Sequence, residues 1–174
     1  MTVTINGSAG VTTNSGAVYD SLQRDTAKAS TSGTSVDFTS IPSWVKRITV
    51  MFNGVSTNGS SNILVQVGAG SVVTTGYLGA TSVLTTVVGT SNYTNGLAVA
   101  TANAAASVVN GLAVICNVSG NVWVMNTATG YSNGAGTMVG ASNISLGGTL
   151  DRVRITTVNG TDTFDAGTIN IIYE

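Results

Sequence analysis

Between Lys46 and Gly54 the residues Ile48, Val50 and Phe52 take every second position, with Arg47, Thr49 and Met51 between them. A period of two belongs to a strand with one face in a core and the other in water. The residues just before it hold the one proline of the chain, Pro42, and one of its two tryptophans, Trp44. Pro42 fixes its own φ and pushes Ile41 toward extended geometry, so a strand that reaches Phe38 breaks there and restarts near Trp44. Phe38 to Gly54 therefore reads as a corner followed by a core strand that ends on an Asn53-Gly54 turn. It is scaffold, with Trp44 expected to seal an edge or a subunit contact.

The same alternation returns down the chain. Ile63, Val65 and Val67 share one side of a run from Asn62 to Gly68, Val153 and Ile155 alternate with Arg152 and Arg154, and Ile169, Ile171 and Tyr173 alternate with Asn170 and Ile172. The clearest hairpin is Gly111 to Asn126, where Leu112, Val114, Cys116 and Val118 lead to Ser119-Gly120, and Val122 and Val124 then alternate with Trp123 and Met125. Ser71 to Thr75 and Tyr77 to Thr86 are weaker strands. Asn95-Gly96-Leu97-Ala98-Val99 is echoed by Asn110-Gly111-Leu112-Ala113-Val114, which reads as one piece of hairpin chemistry used twice. A helical turn or two is arguable over Val18 to Asp25, and another in the Ala-rich residues 100–106. Many short strands with turn signals every 8 to 12 residues predict an all-β chain, an antiparallel β-sandwich. Residues 1–27, rich in Gly, Ser and Thr at their start, are expected to form an N-terminal arm or attachment segment, and residues 28–174 the sandwich.

Composition narrows the function. Charged residues make up 7% of the 174 positions against roughly 25% in an average soluble domain, histidine is absent and the net charge is -1. Ser, Thr, Asn and Gly must then supply most of the surface. Such a chain is not expected to bind nucleic acid, which needs clustered Lys and Arg; Lys46 with Arg47 and Arg152 with Arg154 read as strand residues with their charges in water. No window approaches the ~18 apolar residues of a spanning helix, so membrane insertion is not expected. The first residues lack the basic and apolar regions of a secretory signal, and Cys116, among Val114, Ile115 and Val118, reads as a buried inert thiol. Both point to synthesis in a cytoplasm. The Asn-x-Ser/Thr matches carry little weight in a chain this rich in those residues.

Without histidine, and with one cysteine, the chain cannot build a Ser-His-Asp triad, a Cys-His dyad, or a zinc site of histidines or cysteines. Asp151, Asp162 and Asp165 flank the last hairpin and read as Asx turns; cleavage of a polysaccharide would need two carboxyls converging across a cleft, and no spacing indicates that. Thr161 to Gly167 has the flavour of a calcium loop but lacks its ligand density and its bidentate Glu. The reading is a non-enzymatic protein with no catalytic residue, no metal and no cofactor. Tyr77, Tyr93, Trp123 and Tyr131, in or near Gly-rich loops, are the candidates for a saccharide platform, since a ring face stacks on the apolar face of a sugar; against this, Trp123 within a strand suits a core or an interface.

The segment from Ser32 to Ser56, with Ile41-Pro42-Ser43-Trp44 at its centre, resembles a domain found in tailed-bacteriophage and prophage virion proteins, often tail fibres. The likeness extends to Leu64-Val65-Gln66-Val67-Gly68, Thr75-Gly76-Tyr77, Asn121-Val122-Trp123 and Gly167-Thr168-Ile169-Asn170-Ile171. It implies a virion setting, a jelly-roll-like structural protein and a homotrimer whose protomers bury apolar strand faces against one another, which would account for a charge-poor chain. No catalytic motif comes with it. The expected role is a tail fibre or receptor-binding tip, joined to neighbouring virion proteins by its N-terminal arm and facing a host cell-surface glycan. There is no long repetitive shaft, so a capsid decoration or cement protein is the alternative, and a polysaccharide-cleaving module a more distant one.

Overall fold

The computed structural model describes residues 3–6, 10–13, 18–19, 22–85 and 89–174. In chain order the strands are β1 (Val3–Asn6), β2 (Gly10–Thr13), β3 (Val18–Tyr19), β4 (Gln23–Arg24), β5 (Lys28–Ala29), β6 (Ser35–Thr39), β7 (Arg47–Thr57), β8 (Ile63–Ala69) and β9 (Ser71–Val72). There follow β10 (Leu78–Leu84), β11 (Gly89–Tyr93), β12 (Leu97–Ala98), β13 (Val109–Ser119), β14 (Val122–Tyr131), β15 (Thr137–Ser145), β16 (Arg152–Thr157) and β17 (Phe164–Tyr173). Among the described residues there is no helix. The large sheet runs β11-β10-β15-β14-β13-β7-β17-β4 with β5 also on β17; the smaller one runs β12-β8-β16-β6 with β9 on β8, and every pairing is antiparallel.

The corner at Pro42 carries the chain from one sheet to the other. β6 ends in the small sheet, Ser40 takes a positive φ of 62°, Val45 N–H closes a turn on Pro42 O at 3.1 Å, and β7 begins in the large sheet. Ile48, Val50 and Phe52 then face inward as their spacing predicts, as do Ile63, Val65 and Val67 on β8, Val153 and Ile155 on β16, and Ile169 and Ile171 on β17. All of these, with Phe38, Ile115, Trp123, Met125 and Met138, form one continuous core between the two sheets, which makes the fold a β-sandwich. Trp44 stays partly exposed, its ring tilted at 51° against Tyr173 with centroids 6.0 Å apart.

Asn53-Gly54 is not a turn. β7 runs on to Thr57, and Gly54 (φ +66°) lies beside Gly167 (φ +97°), where the β7–β17 register slips twice. The positive φ is taken up by a bulge, which bends the strand without reversing it. The described residues of the stretch Val18 to Asp25, where a helical turn is expected, are not helical: Val18 and Tyr19 form β3, Gln23 and Arg24 pair with Tyr173 and Ile172, and Asp25 N–H bonds Ile171 O at 3.0 Å. A short, weak helix cannot compete with a strand edge that offers ready backbone partners. The residues 20–21 in that stretch, Thr86 of the expected Tyr77–Thr86 strand, and 1–2, 7–9 and 14–17 of the expected arm lie outside the described residues. Within residues 1–27 β1, β2 and β3 make a three-stranded sheet, while β4 joins the large sheet. In residues 100–106 the backbone turns, with Ser107 N–H on Ala104 O at 2.8 Å and Ala102 at φ 55°.

Candidate functional site

The outer face of the large sheet is unusual. Seven of the ten large apolar residues exposed among the described residues lie together on it: Leu78 and Leu84 of β10, Val139 of β15, Val122 and Val124 of β14, and Leu112 and Val118 of β13. Register places them in rows, since Leu78 sits opposite Asn143, Asn143 opposite Val124, Ala128 opposite Val139, and Leu112 opposite Ala128. No strand from β10 to β11 or β13 to β15 contains a charged residue. Leu112, Val114, Cys116 and Val118, the alternation that marks the hairpin in the sequence, belong to this outer face; Val109, Ala113 and Ile115 take the core. With apolar residues on both sides of β13, alternation alone cannot say which side is inside.

A second surface lies over the outer face of the small sheet, where a groove of about 380 Å³ is lined by Thr34, Ser35, Gln66, Thr74, Asn95, Arg154 and residues 156–160. One wall is the segment 70–77. It is pinned by Tyr77, whose hydroxyl accepts from Val67 N–H at 2.8 Å and donates to Val73 O at 3.0 Å. The opposite wall is β16, where Arg154 makes a two-bond pair with Asp37, Nε to Oδ1 and Nη2 to Oδ2, each 2.7 Å. Between the walls Gln66 is 5% exposed and donates from Nε2 to Asn95 O at 2.7 Å.

The four aromatic candidates do not form a platform. Tyr77 is fully buried in the main core and Trp123 is 3% exposed, with its indole N–H buried and without a hydrogen bond. Tyr93 packs with Leu64 and Ala98; its hydroxyl accepts from Asn62 Nδ2 at 2.8 Å and donates to Thr101 Oγ1 at 3.1 Å. Tyr131 donates to Thr101 O at 2.8 Å, so the fold brings Tyr93 and Tyr131 to one residue, yet both hydroxyls are used in holding it. Tyr131 also borders an open hollow, with Ala104, Ser107 and Asn133. The groove escaped the sequence because its residues come from five stretches far apart in the chain.

The aspartates are also held locally. Asp151 pairs with Arg152 and takes Gly70 N–H, Asp162 takes Ser61 N–H and Asn159 Nδ2, and Asp165 accepts from Ser56 Oγ. The Arg152 hydrogen bond holds Asp151 below its ordinary value, and the Asn159 amide, with Ser61 N–H, does the same for Asp162. A general acid needs the opposite shift. Asp162 and Asp165, both in the calcium-like stretch, are directed to different partners.

Burial pushes the Tyr77 hydroxyl up to about 12, only partly offset by Val67 N–H, and burial does the same to Tyr131, up to about 12. The native state thus keeps protons that the unfolded chain gives up near pH 10, so the stability they support is complete below pH ~10 and is lost as pH rises through ~12. Absorbance at 295 nm should show phenolate forming late, together with alkaline unfolding, and Tyr77→Phe should remove part of that late rise. Normal titration of all the tyrosines in a folded protein would contradict it. The chain matches no protein-family model, no curated protein and no solved structure.

Proposed function

We propose that this chain is a non-enzymatic structural protein of a bacteriophage virion, a homotrimer displayed as a tail fibre or receptor-binding tip. The observation that carries the structural role is the bare outer face of the large sheet. Four strands at ~4.8 Å spacing and six residues at ~3.3 Å make a charge-free area about 15 by 20 Å; uncharged β11 widens it on one side toward the roughly 800 Å² per partner of a specific interface, while Arg47 of β7, opposite Cys116 and paired with Glu174, bounds it on the other. Solvent is a poor companion for such a surface. A partner that matches it must itself lack charge where it docks, because a charged side chain buried there would lose its hydration with nothing to pair with. The same face on another copy of this chain meets that condition, and a closed ring of copies leaves none of it open.

The virion setting is supported by the sequence resemblance centred on Ser32 to Ser56, and attachment through residues 1–27 by their Gly, Ser and Thr content. Gold-labelled antibody against the purified protein, applied to phage particles of the bacterial strain that encodes it, should decorate the tail end. Label on the capsid surface would support the decoration role in its place, and particles left bare by an antibody that binds the free protein would overturn the virion reading.

A further inference from the structure

We infer that the open edge of the large sheet, strand β11, takes strand β1 of a neighbouring copy of this chain. Among the described residues β11 pairs with β10 alone, in a register without a slip, and four of its five residues are exposed. Every second N–H and C=O of such a strand points away from its one neighbour, a row of hydrogen-bonding groups ready for another strand. Edges that stay single are commonly shortened, bulged, or given charges or proline. Gly89-Thr90-Ser91-Asn92-Tyr93 has no charge, no proline and no bulge. The other edges are short or covered. β4 and β5, two residues each, close the far side of the same sheet on β17. In the small sheet β9 and β12 are two residues long, and Lys28 Nζ donates to Asp37 O of β6.

The occupant comes from the N-terminal segment. β1, β2 and β3 form a sheet of their own that pairs with no strand of the sandwich among the described residues, and β1 is an outer strand of it. Its sequence, Val3-Thr4-Ile5-Asn6, is like β11 free of charge and proline, so the two can pair without burying an unmatched charge. The β11 of its own chain is out of reach. Seven strand spacings of ~4.8 Å, about 34 Å in all, separate β4 from β11 across the large sheet. Residues 20–22, which join β3 to β4, span at most about 14 Å, and the two spacings from β3 to β1 add about 10 Å. A neighbour's β1 meets no such limit. β10, beside β11, carries Leu78 and Leu84 of the bare face, so adding a strand here continues the contact of that face around the same ring of copies. Each N-terminal segment then closes the open edge of the next copy, and the ring leaves no β11 unpaired.

Strand addition rests on the homotrimer reading and deepens it by naming the segment that joins the copies. The test is hydrogen exchange on the full-length protein at micromolar concentration, read amide by amide over residues 89–93, with the mass measured in parallel by light scattering behind a sizing column. In the trimer nearly every amide of β11 should exchange slowly, whereas a strand bonded on one side protects only every second one. Ile5→Pro removes a donor from β1 and disfavours its pairing. It should return residues 89–93 to the alternating pattern, with the outward amides exchanging at least tenfold faster. Slow exchange over residues 164–173 in the same variant confirms that the sandwich is folded. A trimer whose β11 shows the alternating pattern would overturn the inference and leave the trimer standing. Full protection that Ile5→Pro does not relieve would show that another strand, such as a second β11, covers the edge, and would overturn it as well. A wild type of single-chain mass would take both readings down together.

Discussion

Val124→Asp should convert the proposed trimer into folded monomers. Light scattering behind a sizing column should give the wild type three times its 17.4 kDa chain mass at micromolar concentration, and the variant that mass once. Val124 lies in the middle of the bare face, with Cys116 and Asn143 opposite it on the neighbouring strands and Leu78 one strand further. Its side chain is 42% exposed in the single chain, so a carboxylate there stays hydrated in the monomer and costs the fold little. In an interface the same carboxylate loses its water, at several kcal/mol, and a three-fold arrangement repeats the loss at each contact. Dissociation should become easier by at least about 100-fold. As a control, Val158→Asp, which changes an exposed valine away from that face, should leave the trimer intact. A wild type that is monomeric at micromolar concentration would refute the trimer.

The scaffold was legible because its strands obey a binary rule. Where one face is apolar and the other polar, as at Ile48, Val50 and Phe52 or Val153 and Ile155, alternation identifies strand and buried side together. Pro42 was legible for a covalent reason, since its ring leaves the backbone few ways to continue. In β13 and β14 the rule loses its power: Leu112 and Ala113 differ in size and not in polarity, and the larger is the one outside. That ambiguity is what the proposed docking of this face on another apolar surface would leave in the sequence. Asn53-Gly54 misled because a positive φ serves a bulge as well as a hairpin, and the partner that decides, Gly167, lies more than a hundred residues away. The tyrosines attracted notice as rings near glycines, but their hydroxyls tie loops to strands. Gln66 gave no signal, because an uncharged amide between two valines looks like any strand position.

Gly167→Ala should be among the most damaging single methyl additions in the described chain. At Gly167 the backbone has φ +97°, a region that side chains rarely enter, and a Cβ there would stand 2.5 Å from the carbonyl carbon of Gly54 and 2.7 Å from Val55 Cα. Both are backbone atoms of β7, so no rotamer change can relieve the overlap, and β7 and β17 would have to part where Ile169 and Phe52 close the core. Strained φ contributes about 1–3 kcal/mol and overpacking about as much again, and at this chain length each kcal/mol lowers Tm by roughly 2–4 °C. A fall of about 10 °C or more is therefore expected in thermal melts, against no more than a few degrees for Gly160→Ala, where φ is +67° and a Cβ meets nothing within 4 Å. The contrast separates strain from contact, since both sites are left-handed and one alone is crowded. Equal melting temperatures for the two variants would show that β7 and β17 do not cross as closely as the two glycines require.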